Sequence, residues 1–112
     1  MEKGISCKPY VTSDKFFESR REVYDCGASM FGYFQAERYD GKIEKAIETL
    51  SSYYTAYPEC RYLATKSRMY RNIILDAHLI VYRIAAERIE VLDIIHSASS
   101  ITKIRNVRKI RL

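Results

Sequence analysis

The sequence predicts an α+β fold in which a two-helix hairpin packs on a twisted, mainly antiparallel four-stranded sheet, in the order β-α-α-β-β-β. Three observations lead to this prediction. Apolar residues repeat every three or four positions in the first half of the chain, which is typical of amphipathic helices. After Pro58, β-branched residues become dense, which favours strands. Polar breaks at hairpin spacing then divide this second half into three strands.

The N-terminal part is predicted to contain one short strand and one helix. The strand covers Lys8 to Thr12, where apolar residues are flanked by residues that favour turns. Ser13-Asp14 supplies a helix N-cap, because a short polar side chain can accept a hydrogen bond from a free backbone N–H of the first turn. The apolar spacing that follows is helical, and Gly27 is expected to end this helix.

A second, longer amphipathic helix is predicted from Met30 to Tyr57, with Ser29 as its N-cap. Charged residues mostly fill the gaps between its regularly spaced apolar residues. Gly41 weakens this helix locally, by roughly 1 kcal/mol relative to alanine. Pro58 ends it, because proline lacks the backbone N–H and restricts the residue before it.

Three strands are predicted in the C-terminal half, over 68–75, 78–84 and 89–96. One long helix from Leu75 to Ile95 is the alternative, since some of the apolar residues also fit a helical stripe. The clustering of β-branched residues between polar breaks favours the strands. Alternate side chains then point away from the helices, to a face open to solvent or a partner. The candidates for that open face include Arg71, Arg83, Glu90 and His96.

Length and charge predict a single domain, 1–112, with a basic C-terminal tail from about residue 101. From Arg61 onward there are 11 Lys/Arg against 4 Asp/Glu, whereas the preceding residues have 8 against 10. The net charge of +5 attracts polyanions or acidic proteins. The sequence contains no signal-peptide core and no membrane-spanning run, so a cytoplasmic protein that does not contact the membrane is expected.

Cysteine usage and motifs argue against a cofactor. The three cysteines are widely spaced and form no Cys-x-x-Cys pair, which predicts reduced structural thiols. There is no phosphate-binding glycine loop, no His-x-x-x-His and no Gly-x-Ser-x-Gly. The sequence therefore predicts no metal and no other cofactor.

The C-terminal strands carry a series of residues that can be compared with known families. The series is Arg68-x-Tyr70, Ile73-Ile74, His78-Leu79-Ile80-Val81-Tyr82-Arg83-Ile84 and Ile89-x-Val91-Leu92-x-Ile94-Ile95-His96. It resembles the sheet of the RelE/ParE superfamily of type II toxin–antitoxin toxins, of the plasmid-stabilisation type. In that family an arginine opens the second strand, a Val-Tyr-Arg-like triplet lies in the third, and a histidine closes the fourth. The helical part is similar too, and the resemblance extends from Tyr10 to about Ile101.

The resemblance implies one of two activities. RelE-like members cut mRNA in the ribosomal A site, whereas ParE-like members poison DNA gyrase and have no known hydrolytic site. Both are held inactive by a cognate antitoxin, and the pair usually represses its own promoter. The implied partners are therefore an antitoxin, expected to be acidic, gyrase or ribosome-bound mRNA as the target, and promoter DNA through the antitoxin complex only.

Arg68, Arg83 and His96 are the candidate catalytic or toxic-surface residues. Cleaving RNA through its 2′-hydroxyl needs positive charge on the phosphate and an acid or base of suitable pKa, which arginine and histidine can supply. The alternatives are structural. The arginines can be ion-pair partners of Glu90 or Asp93, and His96 can simply end a strand. His78 is expected to be a solvated turn residue.

Two departures from the RelE-like pattern favour ParE-like inhibition. Leu79 stands where the nucleases usually carry an arginine, and Ser97 to Ser100 stand where they carry basic residues. Losing both removes charge that a nuclease would direct at the phosphate. The remaining hypotheses are the mRNA endonuclease and a non-toxic nucleic-acid-binding or adaptor domain.

Further basic residues are candidates for contacting nucleic acid or the protein target. They are Arg71, Lys103, Arg105, Arg108, Lys109 and Arg111. The alternative for the tail is a short terminal helix, docked through apolar residues at every third position from Ile101 to Ile110. On the electrostatic interpretation, the residues from Lys103 onward are not needed for folding.

Overall fold

The computed structural model describes residues 7–112, and the predicted order of strands and helices is confirmed in it. The elements are β1 (Tyr10–Thr12), α1 (Asp14–Phe31), α2 (Tyr33–Glu48), α3 (Leu50–Tyr53), β2 (Tyr70–Leu75), β3 (His78–Ile84), β4 (Ile89–His96), α4 (Ile101–Asn106) and a 3₁₀ turn (Val107–Lys109). Within 7–112, no helix has both the length and the apolar character needed to cross a membrane.

The four strands form one sheet in the order β1-β4-β3-β2. β1 runs parallel to β4, and the other pairs are antiparallel. A parallel pair needs a long crossover connection, which the segment from α1 to β3 provides here. In the register, Arg83 lies opposite Glu90 and His78 lies opposite His96. The ladder between β3 and β4 contains an irregularity at Val81/Tyr82. The α+β prediction with a mainly antiparallel four-stranded sheet is therefore confirmed.

The start of α1 follows the prediction, but its end does not. The Ser13 hydroxyl accepts a hydrogen bond from the Phe16 N–H at 2.9 Å, as an N-cap should. The helix then continues through Gly27 to Phe31, and Gly32 ends it with φ +94° and ψ 160°. Only glycine adopts this backbone region at low cost. The prediction that Gly27 ends the helix is wrong.

The second helix is shorter than predicted at both ends. α2 begins directly after Gly32, so Ser29 lies inside α1 and is not an N-cap. α2 ends at Glu48, and after Thr49 the short α3 follows. The Thr49 hydroxyl donates to the Ala46 carbonyl at 2.6 Å, a local bond that competes with regular helix. Both helices end before Pro58, which therefore does not terminate either of them.

One hydrophobic core lies between the helices and the sheet. It is formed by buried residues that the helices and strands contribute together: Phe16, Ile43, Ile47, Leu50, Tyr54, Ile73, Ile80, Tyr82, Ile89, Val91 and Ile94. The fully buried Tyr82 satisfies its hydroxyl by donating to the Tyr54 carbonyl. This core fixes the position of the helical hairpin on the sheet.

The opposite face of the sheet carries a second core, although that face was expected to be open. Its buried members are Cys60, Leu63, Val81, Leu92, Ile95, Ile104 and Val107. The loop before β2 and the C-terminal tail cover this face, so β4 is buried on both sides up to Ile95. Ile104 and Val107 are 1% and 2% exposed, which confirms the docked-helix interpretation for these two residues, whereas Ile101 is 46% exposed and does not dock. The expectation that the chain from Lys103 onward is dispensable for folding is contradicted by this packing.

Candidate functional site

Arg83 and Glu90 form an ion pair that is largely withdrawn from solvent. Arg83 Nε lies 2.7 Å from Glu90 Oε1, and the two side chains are 17% and 11% exposed. Arg88 contacts the other carboxylate oxygen at 2.9 Å. Burial acts to raise the pKa of Glu90, but the hydrogen bonds from both arginines outweigh it and hold that pKa below its usual value. This geometry matches the structural alternative predicted for Arg83, an ion pair with Glu90.

Arg83 also connects strands to the tail. Its guanidinium lies over the Tyr70 ring, with 5.8 Å between Cζ and the ring centroid. Its Nη1 and Nη2 each lie 3.5 Å from a tail carbonyl, of Arg108 and Ile110 respectively. The side chain therefore joins β2, β3, β4 and the segment after α4.

Arg68 and Arg71 differ in how far their charge is available. Arg68 has φ +55° in the loop before β2, is 64% exposed, and its Nε lies 3.7 Å from Glu59. Its acidic neighbour is thus Glu59, not Glu90 or Asp93. Arg71 donates from Nη1 to the carbonyls of Thr55 and Tyr57, at 2.9 and 3.0 Å. Arg71 therefore holds the loop before β2 in place through these hydrogen bonds. The exposed guanidinium of Arg68 remains available to a partner.

The basic residues of the tail are all exposed. Arg108 and the residues after it lie beside the Arg83–Glu90 pair, because Arg83 contacts the carbonyls of Arg108 and Ile110. We call this region the basic end: Arg83, Arg88, Arg108, Lys109 and Arg111. Arg105 is exposed on α4, and Lys103 lies further away, beside His96. The basic end can attract a negatively charged partner surface.

His96 lies at the other end of the sheet, next to a second histidine. Its Nδ1 accepts a hydrogen bond from the Ala98 N–H at 3.0 Å, and its ring centroid is 5.6 Å from that of His78. His78 Nδ1 is 2.8 Å from the Tyr39 hydroxyl. Burial, followed by the proximity of His96, lowers the pKa of His78. The expectation of a solvated His78 is wrong, because α2 covers it through Tyr39.

The three predicted site residues are not brought together. Tyr70 pairs with Arg83, so Arg68, two residues earlier, lies at the same end of the sheet as Arg83. His96 is six residues along β4 from Glu90, a distance of about 20 Å at strand rise. A single phosphate therefore cannot contact both Arg83 and His96 at hydrogen-bond distance. The basic end and the end with His96 are therefore separate sites.

A small groove beside His96 contains a buried carboxylate. The groove has a volume of about 220 Å³ and lies along β4 between α1 and α4, with Lys15, Ser19, Asp93, His96 and Lys103 in its lining. Asp93 is 4% exposed and accepts from the Ile94 N–H at 2.8 Å. Burial raises the pKa of Asp93, although Ser19, that N–H and the two lysines act in the opposite direction. An imidazole, a carboxyl group and two cations are together here, the group types that proton transfer at a phosphate uses.

A larger cavity of about 580 Å³ lies between the helical hairpin and the β2–β3 turn. Its walls are mostly apolar and include Val23, Met30, Phe31 and Ile43. Tyr39 and the two histidines lie at its polar side. We call it the hairpin cavity. Sequence reasoning did not identify it, because its walls come from elements far apart in the chain.

Sequence and structure comparisons identify the family. The chain matches a family model described as the ParE toxin of type II toxin–antitoxin system, parDE, over residues 10–101. It is also similar to a solved structure described as the chromosomal ParDE TA system from P. aeruginosa, with a TM-score of 0.67 and 14% identity. That match covers 80% of this chain and 96% of the other. A comparison with curated protein sequences gave no match.

The family match, together with the helical hairpin on this four-stranded sheet, places the chain in the RelE/ParE superfamily of toxins. More narrowly, the chain belongs to the ParE toxin family of type II toxin–antitoxin systems. The similarity to the solved structure, at its level of identity, shows the shared fold.

Proposed function

We propose that this ParE-family chain inhibits DNA gyrase and is kept inactive by a cognate acidic antitoxin. The family match over residues 10–101 carries the proposal. The separation of His96 from Arg68 and Arg83 supports it, because that trio cannot act on one phosphate. Inhibition by binding needs a complementary surface and not a converging acid, base and cation. On the family resemblance we further propose that the chain serves plasmid stabilisation and that the toxin–antitoxin complex represses its own promoter.

The basic end is the proposed contact for a negatively charged partner. The carboxylate of Glu90 lies between Arg83 and Arg88, so part of their charge is neutralised. Three further basic residues, Arg108, Lys109 and Arg111, are exposed. Their positive charge adds to what remains on Arg83 and Arg88. Surface charges of this kind accelerate association and confer salt dependence more than they confer intrinsic affinity.

The antitoxin is proposed to add an extended segment at the edge of β2, and the face of the helical hairpin is the alternative. Near its start, β2 is already covered, since the Asn72 N–H donates to the Pro58 carbonyl at 3.0 Å and Glu59 bridges to Arg71. Further along, Ile74 is 64% exposed on this outer strand. An unpaired strand edge with an exposed β-branched side chain is suited to strand addition.

A RelE-like mRNA endonuclease is the second candidate, favoured by the groove at His96. Lys103 follows the fourth strand by seven residues, yet α4 brings it to the same groove as His96. It therefore supplies positive charge near the place where Ser97 to Ser100 lack it. On this proposal, His96 acts as the acid or base, with Lys15 and Lys103 stabilising the phosphate charge.

Induction in cells tests the proposal. The chain is expressed alone and together with any acidic protein encoded by an adjacent reading frame, while thymidine and methionine incorporation are followed separately. We expect growth arrest in which DNA synthesis stops before protein synthesis, and rescue by co-expression. Codon-specific cuts in ribosome-bound mRNA that disappear with His96→Ala would establish the endonuclease instead. Growth without arrest would favour a non-toxic binding protein.

A further inference from the structure

The tip of the helical hairpin is an apolar surface exposed to solvent. Met30, Phe31, Tyr33 and Phe34 are 67%, 70%, 68% and 75% exposed, and they are nearly consecutive in the chain. Scattered exposed apolar residues are ordinary in a folded protein, but a contiguous group of this kind marks an interaction surface. We call these four residues the hairpin tip.

The hairpin tip is presented by regular backbone and not by a long loop. α1 and α2 are separated by Gly32 alone, whose N–H donates to the Ala28 carbonyl at 3.0 Å and whose carbonyl accepts from Ala36 at 3.2 Å. Tyr33 also packs edge-on against Tyr24, with 6.3 Å between ring centroids. Because the tip is already ordered, little conformational entropy is lost when a partner binds it.

Charge distribution restricts the partner that fits the tip. The eleven residues 26–36 contain no Asp, Glu, Lys or Arg. An acidic protein or a nucleic acid would find no cation there, and both are better matched by the basic end, which surrounds Arg83 at the opposite end of the strands from His78 and His96. The hairpin cavity contains both histidines and two tip residues in its lining, so the tip lies at the end away from Arg83.

We propose that two copies of this chain associate through their hairpin tips, about a twofold axis. Each copy carries a net charge of +5, so association costs least where the surface is uncharged and the two basic ends are far apart. A twofold contact requires a self-complementary patch. The tip meets this requirement because its projecting aromatic side chains lie beside the hairpin cavity, which Met30 and Phe31 also line. Aromatic side chains of one copy would enter the cavity mouth of the other.

The available area is sufficient for a specific dimer. Each of the four tip side chains presents on the order of 100 Å² of mostly apolar surface. Burying the tips of both copies, with the rims of the two cavities, then removes on the order of 1,000 Å² from water, which is the lower bound for a specific interface. We therefore expect a reversible dimer of micromolar affinity and not an obligate one.

Sedimentation equilibrium of the full chain, made by cell-free synthesis without antitoxin, tests the proposal. The wild-type chain of 13.1 kDa should approach twice that mass at about 100 μM. Phe34→Glu should weaken the association by about 100-fold or more, because the substitution acts twice in a twofold interface. Phe17→Glu is the matched control, since Phe17 is 60% exposed on α1 outside the tip, and it should dimerise like the wild type. Circular dichroism confirms that both variants are folded.

A wild-type chain that stays monomeric at this concentration overturns the proposal, as does a Phe34→Glu variant that dimerises normally. A monomer that binds phosphatidylcholine vesicles, and loses that binding in Phe34→Glu, would identify a membrane surface as the occupant instead. A monomer whose antitoxin complex is lost in Phe34→Glu alone would identify the antitoxin. The inference is independent of the proposed target, because none of these measurements involves gyrase or the ribosome.

Discussion

Arg83 and Glu90 are cross-strand neighbours whose side chains point to the same face of the sheet, and Glu90 is held by Arg88 as well. Because the carboxylate neutralises much of the Arg83 charge, Arg83 has less charge to offer a target than its sequence context suggests. Its contacts with Tyr70 and with the tail carbonyls give it a structural role. Substitution of Arg83 is therefore expected to change the stability of the fold.

Arg83→Ala should destabilise the protein by about 1–3 kcal/mol, because it removes one of the two arginines that pair with a largely buried carboxylate. Arg68→Ala is the control, since Arg68 is 64% exposed and lies 3.7 Å from its acidic neighbour, and its change should stay within about 0.5 kcal/mol. Urea unfolding measures both values. Equal stability of the two variants would contradict the structural role of Arg83.

Gly32→Ala should destabilise the hairpin by about 1–3 kcal/mol, because alanine is strained at φ +94°. An added Cβ at Gly32 meets no atom within 4 Å, so the cost comes from the backbone alone. Gly41→Ala is the matched control: its added Cβ is also in open space, and within α2 alanine should stabilise by about 0.5–1 kcal/mol. Thermal unfolding should therefore give shifts of opposite sign, and a neutral Gly32→Ala would contradict the strained turn.

Glu90→Gln and Asp93→Asn should have opposite effects that both depend on pH. The folded-state pKa of Glu90 is lowered, so its charge stabilises the fold above its ordinary pKa of 4.5, and this contribution is lost as the pH falls through the folded value. The folded-state pKa of Asp93 is raised above 3.8, so its charge costs stability at neutral pH.

At neutral pH, Glu90→Gln should thus be less stable than the wild type, and Asp93→Asn should be more stable. Both differences should shrink on acidification, the first below the ordinary pKa of 4.5 of Glu90 and the second toward the ordinary pKa of 3.8 of Asp93. Urea unfolding as a function of pH measures them. An Asp93→Asn variant that is destabilised at pH 7 would show that Lys15 and Lys103 outweigh burial.

Truncation after Thr102 should unfold the protein or lower its stability by several kcal/mol. It removes Ile104 and Val107 from the second core, and deleting one such buried side chain typically costs about 1–5 kcal/mol. Lys109→Ala with Arg111→Ala is the control, because both residues are exposed: the fold should persist while heparin binding weakens with a shallower salt dependence. A truncated chain with an unchanged thermal transition would disprove the structural role of the tail.

The strands could be predicted closely because local signals defined them. β3 and β4 have the predicted bounds, since β-branched residues lie between short polar breaks. β2 begins at Tyr70 and not at Arg68, whose φ of +55° is incompatible with a strand. A left-handed residue next to a strand has no distinct signature in the sequence.

The helix ends and the covered face depended on tertiary contacts. Gly27 and Gly32 are equivalent as local signals for a helix end. Gly27 packs against α2, since a Cβ built on it would lie 3.9 Å from the Cβ of Ala36. The chain turns instead at Gly32. The apolar spacing of the tail indicated docking, yet only the pairing of its residues with the second core shows where it docks. His78 could have been paired with His96 from the predicted strand bounds, whereas the contact with Tyr39 could not have been predicted.

His96→Ala separates the two proposed activities in cells. On the gyrase proposal, mRNA from induced wild-type and His96→Ala cells should show the same absence of codon-specific cuts, because little cleavage is expected from either chain. Any effect of His96→Ala on growth arrest then comes from binding. Primer extension across ribosome-bound mRNA makes the comparison, with Arg68→Ala as a second variant at the other end of the sheet.

A supercoiling assay with purified gyrase, relaxed plasmid and the antitoxin-free chain tests gyrase inhibition most directly. If the chain inhibits gyrase, we expect that supercoiling stops, that cleaved plasmid accumulates after protein denaturation, and that adding the antitoxin restores supercoiling. Gyrase that remains fully active at excess chain, together with ribosome-dependent mRNA cleavage by the same preparation, would contradict it.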